Sequence, residues 1–202
     1  MSISNQTKST NSVWAIIKLG LILAVYAVAC CTVLAIVNNI TSPVIALNQQ
    51  KKASSGMAAV FAQAEEFEPA QAPVAGDGTS CDALYLAKAE GKVIGAVVQM
   101  TGATYDHSTI IVGMTTDGTI TGMQYLENTD TPGFGQKASD PTFKLPSGKT
   151  FYEQFAGKKA SDGFTAGKTF DAISGATITS NGVGTLMTQA AQCMTEALKE
   201  YK

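Results

Sequence analysis

The sequence predicts an α+β protein in which one apolar N-terminal helix of membrane-spanning length precedes a domain built on a twisted antiparallel sheet with flanking helices. Three observations carry this. Leu19–Val37 (LGLILAVYAVACCTVLAIV) contains no charged residue. Four segments between Asp82 and Leu126 alternate apolar and polar residues around two Gly-containing turns, and helical periodicity runs from Thr179 or Ser180 to Lys199. A chain of 202 residues has room for such an anchor and one compact domain of ordinary size.

The apolar run matches the roughly 20 residues that cross a bilayer core about 30 Å thick, and Val13 to Ile17 extend it beyond Lys18. A cleaved signal peptide has a shorter apolar region, of about 7–15 residues, ending in a small-residue cleavage site. Here the run continues into Asn38-Asn39-Ile40-Thr41-Ser42-Pro43, which favours a retained anchor. Lys18 can snorkel to the interface and Trp14 suits the same boundary. Lys8 and Lys18 flank one end and Lys51 and Lys52 the other, so charge by itself assigns no orientation.

Ser42-Pro43 reads as a helix start, with Val44, Leu47, Met57, Val60, Phe61 and Ala64 at roughly helical spacing up to Phe67 and a break near Ser54-Ser55-Gly56. Glu68 to Ser80, rich in Pro, Ala and Gly, reads as a linker or ordered surface loop. The expected organisation is therefore residues 1–41 as tail and transmembrane helix, 42–80 as membrane-proximal helix and linker, and 81–202 as the compact domain. Expected strands are Asp82–Ala89 and Lys92–Met100 around Glu90-Gly91, then Ser108–Thr115 and Thr119–Leu126 around Asp117-Gly118. Thr101 to His107 forms a polar loop at one end of the sheet. From Leu126 to Lys149 periodicity disappears, and long loops without regular structure often carry function.

Composition excludes some classes. A net charge of -2 with 15% charged residues leaves no basic surface for nucleic acid. The four cysteines show no metal-ligand spacing, so no metal site is expected. Cys30 and Cys31 are adjacent within the apolar run and read as packing residues. Cys81 and Cys193 are far apart in sequence and could meet, but Cys193 falls on an apolar helical stripe with Val183, Leu186, Ala190 and Ala197, where a buried free thiol is the preferred reading. The single histidine, His107, has no nucleophile at meaningful spacing and reads as a surface or loop residue; no catalytic residue is expected.

One segment carries chemistry. Asp171-Ala172-Ile173-Ser174-Gly175-Ala176-Thr177-Ile178-Thr179-Ser180 is a hydroxyl-rich, Gly-containing loop feeding a helix N-terminus, where unpaired N–H groups and the helix dipole attract a phosphate. Ordinary helix capping by Ser and Thr accounts for the same residues equally well.

The motif DAISGAT fits D-x-x-[ST]-G-A-T and so resembles the FMN-binding domain shared by the G subunit of the Rnf complex and the C subunit of the sodium-pumping NADH:quinone reductase. Asp130-Thr131-Pro132-Gly133-Phe134-Gly135 similarly resembles that family's E-T-P-G-L-G segment, with Asp for Glu and Phe for Leu. The resemblance covers nearly the whole chain. It implies FMN joined covalently to Thr177 by a phosphoester, a flavin transferase that installs it outside the cytoplasm, and hence a single-pass protein of the cell membrane whose N-terminus is cytoplasmic and whose domain is extracytoplasmic. It also implies partners: the other membrane subunits of an Rnf-type complex coupling ferredoxin and NAD to Na⁺ or H⁺ transport. The short chain leans toward that complex. The quinone reductase subunit, a tethered flavin domain for extracellular electron transfer, and a non-redox binding or scaffold module are the alternatives.

Within this reading, Ser174, Gly175, Ala176, Ile178 and Thr179 surround the attachment point, and N–H groups from Ile178 to Asn181 offset the ester charge. Thr131, Gly133 and Phe134 are expected against the isoalloxazine ring, with Phe134 as ordinary core the alternative. Asp130 is expected to disfavour an anionic reduced flavin. Asp171 belongs to the flavinylation motif, orienting the loop or holding a metal during attachment, unless it only forms an Asx turn.

Overall fold

A computed structural model describes residues 6–73, 76 and 78–201, which fall into two compact units, Met1–Gln49 and Gln50–Lys202. Helix α1 (Gln6–Val60) supplies the first unit and the start of the second. In the first unit its large apolar side chains are exposed, from Trp14 through Leu47. This helix is long and apolar enough to cross a membrane. Pro43 lies inside α1 and does not open a second helix as expected. Proline removes one backbone donor, and just upstream the Thr41 hydroxyl donates to the Val37 carbonyl at 2.8 Å and the Asn38 carbonyl at 3.4 Å, the kind of side-chain compensation that apolar helices use around proline.

The second unit is organised by a five-stranded antiparallel meander: β1 (Glu66–Ala70), β2 (Thr79–Ala89), β3 (Lys92–Ala103), β4 (His107–Thr115) and β5 (Ile120–Asn128), paired in that order. The four expected strands are all present. β1 was not expected. Phe67 was assigned to a helix and Glu68–Ala70 to a linker, yet Glu66 to Ala70 pair with Lys88 to Leu84 along the sheet edge. Of the supposed linker, residues 74, 75 and 77 lie outside the described residues, as do residues 1–5 of the expected tail. The Glu90-Gly91 turn has φ of 50° and 74°, the left-handed pair that matches strand twist in a tight hairpin. The expected loop 101–107 shrinks to residues 104–106, because Ala103 and His107 still pair.

Both faces of this sheet are covered, which explains why β3 and β4 are buried almost continuously where alternation was expected. On one face lies α2 (Thr177–Ala197), whose Val183, Leu186, Met187, Ala190 and Met194 are buried against Leu84, Val98, Met100 and Ile110. This helix begins two residues earlier than the expected Thr179, and a 3-10 turn, Lys199–Tyr201, follows it. The same face carries the irregular segment 139–176, which adds Phe151, Phe155, Phe164 and Phe170 to this core, with neighbouring ring centroids 4.9–6.1 Å apart.

The other face receives the end of α1. Val60 and Phe61 are buried against Ala87, Val97 and Ile111. Glycines make this approach possible. A Cβ at Gly95 would stand 2.5 Å from the Phe61 ring, and one at Gly113 would stand 2.9 Å from the Val60 carbonyl. Gly56 does not break α1 as expected, for it gives the helix room beside Ile111 and Leu126, where a Cβ would sit 3.2 and 3.3 Å away.

Phe61→Ala is expected to destabilise the second unit by about 3–5 kcal/mol through the cavity it leaves. Gly95→Ala is expected to destabilise it as well, by forcing Phe61 off the sheet. Thermal unfolding of the detergent-solubilised full chain, followed by circular dichroism, checks both; unchanged transitions would mean that the helix end is not anchored there.

Candidate functional site

The segment leading into α2 is anchored before it turns. Ile173 and Ala176 are buried, and between them Gly175 takes φ +79°, a conformation that side chains rarely adopt. Ser180 closes the turn from the helix side. Its hydroxyl accepts from the Ile173 N–H at 3.0 Å and donates to the Ala176 carbonyl at 3.0 Å. The N-cap is Ala176, which has no side-chain oxygen, and no side chain caps α2. The capping explanation of this hydroxyl-rich segment therefore fails in its simplest form. The Ser180 N–H is already bonded to the Ala176 carbonyl, so the uncapped donors are those of residues 177–179, a set that starts one residue earlier than the expected Ile178 to Asn181 and ends two earlier. Thr177 stands exposed at the first helical position.

The irregular loop after β5 meets this turn through Asp130. Its carboxylate is fully buried: Oδ1 accepts from the Thr104 hydroxyl at 2.6 Å and the Asp106 N–H at 2.8 Å, and Oδ2 accepts from the Thr179 hydroxyl at 2.7 Å. Burial works to raise the Asp130 pKa, but these hydrogen bonds, with one from the Tyr105 N–H, outweigh it and hold the group below the ordinary carboxylate value. Burial first, and the Asp130 charge second, push the nearby Tyr125 phenol well above its ordinary value, so it stays neutral. Gly135 makes the Asp130–Thr179 contact sterically possible, since a Cβ there would lie 2.6 Å from both the Asp130 Cβ and the Thr179 hydroxyl oxygen. The Phe134 ring lies beside Gly175, 3.5 Å from where its Cβ would be. The two motifs are thus in direct contact.

Together they enclose a cleft of about 410 Å³ lined by Tyr105, Thr131, Phe134, Gly135, Gly175, Ala176, Thr177, Ile178 and Thr179. Around the exposed Thr177, Tyr105 is 62%, Phe134 55% and Ile178 59% exposed, an unusual gathering of large apolar side chains in water. Phe134 is therefore not core. Such a cleft offers a flat ring apolar walls and offers a phosphate a helix N-terminus.

Some expected residues stand elsewhere. Gly133 lines a separate depression with Gln136, Lys137 and Phe143, and Gly135 takes the cleft position in its place. Ser174 is exposed but outside the cleft lining. Asp171 is exposed in a depression with Lys149, Lys158 and Lys168, and it is its backbone that is fixed, donating to Gln154 Oε1 at 2.7 Å and accepting from Nε2 at 3.1 Å. His107 is the exposed first residue of β4. Conversely, Tyr105, Thr104 and Asp106 were missed. The signal available was the polar loop between the hairpins, but nothing local tied it to residues 26 positions further on.

A family model described as the FMN-binding domain matches residues 105–192, and one for the RnfG N-terminal region matches residues 7–60. The chain is 31% identical to the G subunit of the ion-translocating oxidoreductase complex of Escherichia coli O157:H7, across 91% of this chain and 94% of that one. It is 29% identical to the G subunit of the Na⁺-translocating ferredoxin:NAD⁺ oxidoreductase complex of Acetobacterium woodii, across 84% and 87%. The corresponding figures for the G subunit of the ion-translocating oxidoreductase complex of Methanosarcina acetivorans are 29%, 83% and 88%.

Asp130→Ala is expected to cost about 2–4 kcal/mol, because it takes the acceptor from the buried Thr179 hydroxyl and the Asp106 N–H and leaves the Thr104 hydroxyl with Ser108 alone. Since the folded-state pKa is below the unfolded value, the stability that ionised Asp130 contributes is complete above roughly pH 4 and is lost as pH falls through the folded-state pKa. Asp130→Asn is expected to flatten that acid limb, as read from thermal unfolding across pH 2–6.

Proposed function

The chain belongs to the G-subunit family of ion-translocating oxidoreductase complexes, and from this membership we propose that it carries electrons through FMN joined to Thr177 by a phosphoester. The observation that carries the reading is the exposed Thr177 hydroxyl at the first position of an uncapped helix, in the wall of an apolar cleft. Thr179, the nearest competing hydroxyl, is buried and already donates to Asp130. FMN, when bound, takes up and passes on electrons, and such transfer needs a rigidly held ring more than a protein acid or base.

In this reading each part of the site has a physical task. The Thr177 oxygen anchors the phosphate, and the N–H groups of residues 177–179 and the positive helix end offset its remaining charge. Tyr105, Phe134, Thr131 and Ile178 exclude water from the ring. Gly175 and Ala176 keep the approach to Thr177 narrow. Asp130, behind Gly135 and Thr179, holds the first turn of α2, and its fixed negative charge disfavours negative charge arriving in the cleft. Asp171 and Ser174, outside the cleft, act during attachment, as surface that a flavin transferase reads.

The remaining assignments follow from attachment outside the cytoplasm. The N-terminus is cytoplasmic, α1 crosses the membrane once, and residues 42–202 face outward. The other membrane subunits handle ferredoxin, NAD and the Na⁺ or H⁺ that is moved.

Two measurements test the proposal. Thr177→Val, produced beside an active flavin transferase, is expected to lose the covalent flavin completely, seen as loss of the fluorescent band on a denaturing gel and an intact mass equal to the polypeptide; a persistent band would move attachment elsewhere. Tyr105→Ala in the flavinylated protein is expected to leave attachment intact but expose the ring, increasing quenching of its fluorescence by iodide. Unchanged quenching would remove Tyr105 from the site.

A further inference from the structure

We infer that Cys81 and Cys193 form a structural disulfide that staples β2 to the C-terminal half of α2. The inference starts from a slip in the sheet. Cys81 pairs with Met100 and Ala83 with Gln99, so Asp82 is an extra residue, a β-bulge. In regular alternation Asp82 would share the face of Leu84 and Leu86, which α2 covers. The bulge gives that position to Cys81, which packs against the core cluster containing Cys193, and turns Asp82 to solvent, where its carboxylate accepts from the Ser80 and Thr101 hydroxyls. From the opposite side α2 presents Cys193, 5% exposed. Both thiols are free and share one apolar cluster, where each perturbs the other as neighbouring groups do.

This contact joins elements far apart in sequence, where the end of α2 is otherwise held by apolar packing. The remaining pair, Cys30 and Cys31, consists of neighbours in the apolar helix and has no such partner geometry. Bond formation is thiol–disulfide exchange. The Cys81 and Cys193 thiols lose their hydrogens as the S–S bond forms, and two electrons and two protons pass to an oxidant disulfide, which is cleaved to two thiols. The availability of that oxidant rests on the outward-facing orientation proposed above. Burial pushes the Cys81 thiol up to about 12 and raises Cys193 as well, so thiolate is scarce once the domain is folded.

The test uses the full chain isolated from its own membrane with free thiols alkylated at lysis, followed by peptide mapping without reductant. The expected product is a linked Cys81–Cys193 peptide pair two hydrogens lighter than its parts. Reduction is expected to lower the melting temperature by roughly 10 °C. Cys193→Ser, and the less buried Cys81→Ser as a second variant, are expected to show the lower value and no response to reductant. Alkylation of both Cys81 and Cys193 in unreduced, denatured wild-type protein would overturn the inference. Protease added to intact cells separates this from the orientation: a digested domain with free thiols sinks the disulfide alone, whereas a protected domain with a linked pair supports the disulfide and sinks the orientation.

Discussion

A single buried carboxylate organises the candidate site. Asp130 collects donors from the β3–β4 connection and from the first turn of α2, so three segments distant in sequence converge on two oxygen atoms. A buried charge is tolerated only when it is saturated in this way, and its removal exposes every partner at once. Thr177 stands two residues before the Thr179 that is held, on a helix turn with no freedom to drift. Rigidity at Thr177 is thus a consequence of electrostatics elsewhere.

The glycines serve this arrangement by subtraction. Gly135 leaves the volume in which Asp130 reaches Thr179, and Gly175 leaves the surface on which Phe134 rests. On the far face of the sheet the same device recurs, with Gly95 and Gly113 admitting Phe61 and Val60. Helix α1 therefore does more than supply an apolar segment: its last turn is part of the domain's second core. β3 and β4, which supply Val97 and Ile111 to that core, also carry the residues flanking Thr104 to Asp106.

Much of the architecture was legible because its signals are local. The strands of both hairpins, the closing helix and the apolar run each announce themselves within a dozen residues by period and turn chemistry. β1 was missed for the opposite reason. Its five residues include Pro69 at a sheet edge, and only the partner strand β2 makes them a strand. Pro43 was misread because proline is a helix starter in water, whereas here it sits within a continuous apolar helix with a neighbouring threonine bonded back to the preceding carbonyls.

The amino-acid sequence by itself determined the apolar N-terminal helix, the antiparallel hairpins, the hydroxyl-rich turn before the last helix and the family resemblance carried by two short motifs. All of these are encoded by neighbours along the chain. Only the tertiary structure decided that those motifs touch, that Tyr105 joins them, that Gly135 and not Gly133 faces the cleft, and that Thr179 is occupied while Thr177 is open. Those facts depend on which side chains meet across strands and loops, and no local period or turn preference specifies such meetings.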